Sequence, residues 1–467
     1  MGSEMRAKSQ ILNAPRVMIA ATKSGSGKTT FVCALLRLLQ NCGKNPVSFK
    51  CGPDFIDPMF HERVLRINCA NLDSYFSGGG EIKSILARNF LCSDADCSVI
   101  EGVMGFFDGL AGTSLRASSY DIAGITKTPV ILCVDAQGMS RSSVALVKGF
   151  LEYDKTVSNS KESLIKGIFL NKVSRPQFVL LKKMIEEECG VKVLGFLPNL
   201  PEFAWKNRHL GLFLPSEIAD LNEQIQKTAE ILAGNLDFKV LEEIMNGAED
   251  FEFFEDSPAE KPRPVKIAVA RDEAFCFYYH ENIRLLEEAG AQIEYFSPLH
   301  DSSLPDGARG ILLGGGYPEL CASELQANSS MRLSIKKAIE NGVPVIAECG
   351  GFMYLQEKIT VESGEIYEMC GAIEGECFFT GKLVRFGYGE FFKKTEENFS
   401  VKGHEFHYFD STNNGLAFTA RKALSDRSWD CMIHTEKILA GFPHLYYRSN
   451  PEILRRFVES CRNYGGR

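Results

Sequence analysis

The chain has 467 residues, 45% of them hydrophobic and 24% charged, with a formal net charge of −8. That length exceeds one ordinary hydrophobic core and predicts two or three domains. The acidic balance and the lack of a basic block exclude nucleic acid as the main partner, while leaving room for a local basic pocket that takes an anionic small molecule. The opening MGSEMRAKSQILNAPR has no continuous apolar core, and no run of about 18 apolar residues occurs anywhere, so a soluble, cytoplasmic protein with no membrane partner is expected. The fifteen cysteines are odd in number and form no C-x-x-C pair, which suits reduced thiols better than a disulfide framework or a zinc site. Cys33, Cys133 and Cys431 sit inside apolar segments and read as small buried hydrophobes.

RVMIAAT (16–22) reads as a short buried strand. KSGSGKTT (23–30) follows, and TTFVCALLRLLQNCG (29–43) has helical spacing, with Val32, Leu35, Leu36 and Leu39 on one face and Gly43 as its stop. Strand, glycine loop and helix in that order form a phosphate cradle. Backbone N–H groups point at phosphate oxygens, the helix start adds positive potential, and a lysine supplies a point charge. Gly25, Ser26, Gly27, Lys28, Thr29 and Thr30 are therefore the expected nucleotide-phosphate-binding residues. Thr22 stands where the strict pattern asks for its first glycine, and Lys23 matches a variant loop in which a further lysine reaches phosphate. In KCGPDFIDPMFH (50–61) a glycine-proline turn fixes Asp54 and Asp57 after a strand, and VIEGVMGFFDG (99–109) ends a strand at Glu101. Carboxylates at the carboxyl ends of parallel strands line the ligand crevice of such sheets. Thr29, Asp54 and Glu101 make an oxygen-rich set suited to Mg²⁺; capping of a turn is the other role open to Asp54 and Asp57. Further strands at 97–101, 129–134, 165–170 and 192–197 complete a mostly parallel sheet in a domain spanning 1–245.

Residues 246–264, with six acidic residues and three prolines, read as a solvated linker. A second α/β domain, 265–467, opens with VKIAVA (265–270). A helix near 279–289, strands at 291–297 and 308–316, and a helix near 321–341 follow. VPVIAECGGFMYL (343–355) then stops an apolar run at Cys349 and resumes after two glycines, the strand-turn-helix elbow that lifts a nucleophile off a sheet. The helix start favours the thiolate that catalysis needs. His404, His407, His434 and His444 are all candidates for the base. In LLGGGYPE (312–319) a strand ends in three glycines whose bare N–H groups, Gly315 and Gly316 above all, suit an oxyanion.

These segments, with NRHLGL (207–212), FCFYYHENIRLLEEAGA (275–291), GHEFHY and GFPHLYY, resemble the cobyrinate a,c-diamide synthase family, glutamine-dependent amidotransferases of corrinoid biosynthesis, over nearly the whole chain. The resemblance implies two doubly wound parallel-sheet domains, the first like dethiobiotin synthetase and the second like a class I glutamine amidotransferase. It implies that Cys349 takes the glutamine amide as a thioester, that His444 is the base, and that ammonia moves through a protected passage. It makes the nucleotide at residues 25–30 ATP, which with Mg²⁺ would phosphorylate the a and c carboxylates of cobyrinate, with Asp54, Asp57 and Glu101 handling metal and substrate. Many relatives carry an acid two residues after the histidine; here Tyr446 stands there. Hydrogenobyrinate and nickel-sirohydrochlorin remain open as substrates, as does a homodimer. His404 and Arg385 are candidates for holding the ring. A partitioning-type nucleotide-switch ATPase is the reading from another class, but it gives Cys349 no task.

Overall fold

The computed structural model describes residues 8–200, 207–208, 211–212, 220–255 and 263–465. They fall into two compact units, Met1–Ser257 and Pro258–Arg467. Of NRHLGL, only a short antiparallel pair, Asn207–Arg208 with Gly211–Leu212, lies within the described residues. No helix among the described residues is long and apolar enough to cross a membrane.

The first unit is built on seven parallel strands in the order Cys69–Leu72, Pro46–Cys51, Cys97–Glu101, Arg16–Ala21, Val130–Asp135, Ile165–Asn171 and Lys192–Leu197. The three central strands that end nearest the phosphate loop are buried along their whole length, which is why they appear in sequence as unbroken apolar runs rather than alternations. Chain direction across the sheet reverses between Arg16–Ala21 and Cys97–Glu101, so the loop after Ala21 and the carboxylate of Glu101 flank a topological switch point. The helix Lys28–Asn41 buries Val32, Leu35, Leu36 and Leu39 and ends before Gly43, which turns with φ 76°.

The first half of the 246–264 segment differs from the expected linker, while residues 256–262 lie outside the described residues. A helix, Phe238–Asn246, runs to its start, and Phe251–Glu255 then pairs antiparallel with Lys8–Leu12. Phe251 and Phe253 are only 3% exposed, so FEFFE is a strand with one face in the core. The acidic residues mask its period of two. Arg16 fixes the join. Its guanidinium is fully buried and donates to the carbonyls of Ala14 (3.0 Å), Thr126 (3.0 Å), Lys127 (3.2 Å) and Glu249, and its charge lies 4.9 Å from the centre of the Phe251 ring.

The second unit has the expected parallel sheet, ordered Ala291–Phe296, Val265–Ala270, Gly310–Leu313, Val345–Glu348 and Ile438–Gly441, with Ile433–His434 antiparallel at its edge. Two boundaries differ from the sequence reading. The 308–316 strand is only Gly310–Leu313, because the glycine run leaves the ladder, and the 321–341 helix breaks at Asn328, whose side chain accepts from Met331 N–H and starts Ser329–Glu340 afresh. A further sheet was not legible at all. Glu376–Lys393 and Ser400–Ser411 form a long antiparallel hairpin, joined by Phe418–Lys422 and by His444–Leu445. Its register shifts between Phe379 and Gly387 scramble the alternation that would have revealed it.

Replacing Arg16 by Met should strand four carbonyls inside the first unit. A loss of about 3 kcal/mol in the unfolding transition of that unit is expected by urea titration, whereas a loss below about 1 kcal/mol would show that Arg16 does not bind the edge pair to the sheet.

Candidate functional site

Gly25 (φ 73°) and Gly27 (φ 85°) shape the phosphate loop in the left-handed region that other residues adopt at a cost. Asn171 crowds the second of them. Its Nδ2 donates to Ser26 O at 2.8 Å and would lie 2.2 Å from a β-carbon on Gly27. Ser26 Oγ donates to Lys23 O at 2.9 Å, so Lys23 contributes a backbone acceptor within the loop. Lys28 Nζ donates to Met104 O at 2.5 Å, and burial, then Lys50, draws its pKa down.

Thr29 Oγ1 lies 2.7 Å from Glu101 Oε1 and 3.3 Å from Asp57 Oδ1. Lys50, which sequence reasoning passed over, is the hub. Its ammonium pairs with Asp57, sits 3.2 Å from Glu101 Oε1 and 3.7 Å from Asp54 Oδ2, and is almost wholly buried. His61, also passed over, brings Nε2 to 3.3 Å from Glu101 Oε2. Burial would raise the Glu101 carboxyl, yet Lys50, His61 and Thr29 together hold it well below the usual range. Asp57 moves the other way, pushed up by burial and by Asp54 and Glu101. Asp54 takes the turn-cap role. Oδ1 accepts from the N–H groups of Ile56 (2.8 Å) and Asp57 (3.3 Å) as a turn cap, while Oδ2 faces Lys50. A charged residue in an otherwise apolar strand was the available signal for Lys50.

These donors fit Mg²⁺ only together with a nucleotide. No three His, Cys, Asp or Glu side chains among the described residues make a metal site by themselves. Mg²⁺ characteristically takes one or two carboxylates and fills its octahedron with water and phosphate oxygens. Thr29 lies within hydrogen-bond distance of Glu101 and Asp57, an oxygen set that fits such a partial shell.

In the second unit Cys349 occupies the turn after Val345–Glu348 with φ 45° and ψ −103°, a strained geometry that few residues adopt without cause. Its N–H donates to Gly441 O at 2.8 Å, and the Gly350 N–H reaches its sulfur. Burial pushes the Cys349 thiol well up, against the hydrogen bond from the Gly350 N–H, so it rests as a thiol. A base therefore has to take the proton during reaction.

His444 lies on the short strand His444–Leu445, directly opposite His404 in the antiparallel register, and the two rings stack with centroids 5.0 Å apart. Burial, reinforced by His404 and His407, pushes His444 well below the ordinary imidazole value, so it is neutral and able to accept. A β-carbon on Gly315 would lie 2.2 Å from His444 Cε1, and one on Gly350 would lie 3.2 Å from Gly316 N. The glycine run thus touches the histidine at one residue and the elbow at the next. The other histidines have partners of their own. His404 Nδ1 is 2.9 Å from Tyr279 Oη; His407 Nε2 is 2.9 Å from Glu405 and its ring stacks on Phe442; His434 is exposed on the edge strand. Arg385 is held within its own sheet by Glu405 (3.2 Å) and Asp410 (2.6 Å).

Comparison with known proteins matches residues 17–212 to the CobQ/CobB/MinD/ParA nucleotide binding domain and 266–452 to the CobB/CobQ-like glutamine amidotransferase domain. Proteins named cobyrinate a,c-diamide synthase resemble the chain end to end. That of Caldanaerobacter subterraneus subsp. tengcongensis is 40% identical over 96% of this chain and 98% of its own. Those of Thermoplasma volcanium and Priestia megaterium are each 36% identical, over 97% and 96% of this chain and 98% and 97% of theirs.

A methyl group on Gly315 has to displace the His444 ring. Gly315→Ala should cut glutamine hydrolysis by about 100-fold while nucleotide affinity, read by fluorescent ATP titration, stays unchanged. An Ala variant with full hydrolysis would show that this approach does not matter.

Proposed function

The chain belongs to the cobyrinate a,c-diamide synthase family of glutamine-dependent amido-ligases, and from that we propose that it converts the a and c carboxylates of cobyrinate to amides, using ATP and ammonia released from glutamine. The observation that carries this reading is the convergence of the Cys349 elbow, the Gly314–Gly316 run and His444 in a unit whose partner unit bears a phosphate cradle.

Glutamine hydrolysis begins with transfer of the Cys349 thiol proton to the neutral imidazole of His444. The thiolate attacks the side-chain amide carbon. The oxygen that becomes negative is met by backbone N–H groups, with Gly315, Gly316 and Gly350 as the candidate donors; such donors stabilise an oxyanion by about 3 kcal/mol each. The imidazolium returns its proton to the departing nitrogen, the C–N bond breaks, and ammonia and a glutamyl thioester remain. Water, deprotonated by His444, releases glutamate and restores the thiol.

A carboxylate does not condense with ammonia because its oxygen leaves poorly. In the first unit the terminal phosphoryl group of ATP passes to a peripheral carboxylate of the macrocycle, giving an acyl phosphate and ADP. Ammonia attacks the acyl carbon and phosphate departs. Gly25, Ser26, Gly27 and Thr30 cradle the nucleotide, and Lys28 and Lys50 carry positive charge toward phosphoryl oxygens. Thr29, Asp57 and Glu101 would hold Mg²⁺, which when bound neutralises charge on the transferred group. Asp54 borders the carboxylate to be activated. A cytoplasmic setting suits this chemistry, and among the described residues no cysteine forms a disulfide.

The two-site reading is tested by comparing glutamine-driven and ammonium-driven amidation. Cys349→Ala should lose the first by more than about 1,000-fold and retain the second. Equal loss of both would sink the division of labour, and amidation of hydrogenobyrinate or a nickel macrocycle in place of cobyrinate would reassign the substrate.

A further inference from the structure

Tyr446 stands two residues after His444, where a carboxylate could have fixed the imidazole. The segment is nonetheless gripped from several sides. Asn282 Nδ2 donates to Leu445 O at 2.7 Å and its Oδ1 accepts from Tyr447 N–H at 2.9 Å, while Tyr446 N–H donates to Lys402 O at 2.8 Å. The remaining contact comes from the nucleophile's own strand. Glu348 Oε1 accepts from Leu445 N–H at 3.3 Å and from the Tyr447 hydroxyl, and the carboxyl is buried. Among these grips it alone joins residue 348, adjacent to Cys349, to residues 445 and 447, which follow His444 in the chain.

We propose that Glu348 is a positioning residue for glutamine hydrolysis: through Leu445 and Tyr447 its carboxyl sets His444 in register with Cys349, a task that falls in other amidotransferases to an acid beside the histidine.

Placement matters more here than charge. Burial pushes Glu348 up to about 8, against the hydrogen bonds from Tyr447 and Leu445, so near neutral pH it is an uncharged acid. The titratable groups around it are Cys349, Tyr278 and Tyr447, all pushed up as well. An uncharged neighbour leaves the thiolate of Cys349 unopposed. Ionisation of Glu348 at higher pH puts a second negative charge next to that sulfur and lowers activity. Glu348→Gln, which retains an acceptor oxygen but cannot ionise, should therefore preserve the geometry and abolish the alkaline fall.

The assignment rests on glutamine hydrolysis at Cys349, so wild type and Cys349→Ala frame the test. Steady-state glutamine hydrolysis by the full chain is measured from about pH 6 to about pH 10, beside ammonium-driven amidation. Glu348→Ala should lower kcat about 100-fold with little change in KM and with the ammonium reaction intact. Glu348→Gln should remain within about threefold of wild type at neutral pH and lose the inflection near pH 8. Tyr447→Phe, which removes one of the two donors, should fall between. Full kcat in Glu348→Ala, or a Gln variant as impaired as the Ala variant, overturns the positioning role. If the Ala variant does not fold, an unaltered pH inflection in the Gln variant combined with wild-type kcat in Tyr447→Phe overturns it equally. A wild type that hydrolyses no glutamine defeats instead the reading on which the role depends.

Discussion

Desolvation governs both sites. Lys50, Glu101, Glu348 and Cys349 lie where buried strands end, and removing charge from water is costly unless the charge is paired or never forms. The two units meet this cost in opposite ways. The first pairs: Lys50 enters the interior and is answered by Asp57, Glu101 and Asp54. The second neutralises: thiol, imidazole and carboxyl are all shifted toward their uncharged forms by burial.

That contrast follows the chemistry each unit handles. A site for phosphoryl transfer receives a polyanion, so fixed cations and hydroxyl and carboxylate oxygens held near one another are useful before the ligand arrives. A thiol site generates its charge only in passing from reactant to intermediate. A resting thiolate in a dry pocket would be expensive, whereas a neutral thiol beside a neutral histidine develops an ion pair where donors await it. The strained backbone at Cys349 serves the same end by holding the sulfur above the sheet rather than in it.

Close approach is the second device. Gly27 admits Asn171 against the phosphate loop, and Gly315 admits the His444 ring against the run that also meets the elbow. In both places the missing β-carbon does more than its freedom of rotation, since an atom there would stand about 2 Å from a neighbour. Glycine-rich stretches in these segments therefore mark contact surfaces. Glu348 and Asn282 complete the arrangement in the second unit by fixing the peptide that carries the histidine.

Fold class, the phosphate loop, Asp57, Glu101 and the Cys349 elbow were determined by sequence alone, because each is a local pattern: a buried run, a glycine spacing, a residue at a strand end. The acidic stretch after Asn246 misled for a local reason too, since the glutamates interleaved through FEFFE hid the buried pair Phe251 and Phe253. What tertiary structure decided is everything that depends on pairing across distance. Lys50 became the centre of the carboxylates only when its strand was laid beside Cys97–Glu101. Among four histidines, His444 was set against the glycine run, and His404 against His444, by a long hairpin whose irregular register leaves no periodic trace in the sequence. Glu348 reads as one more residue of an apolar strand until the chain returns almost a hundred residues later to lay Leu445 and Tyr447 upon it. Burial, which sets the charge of all these groups, is likewise a property of the packed molecule and of no segment by itself.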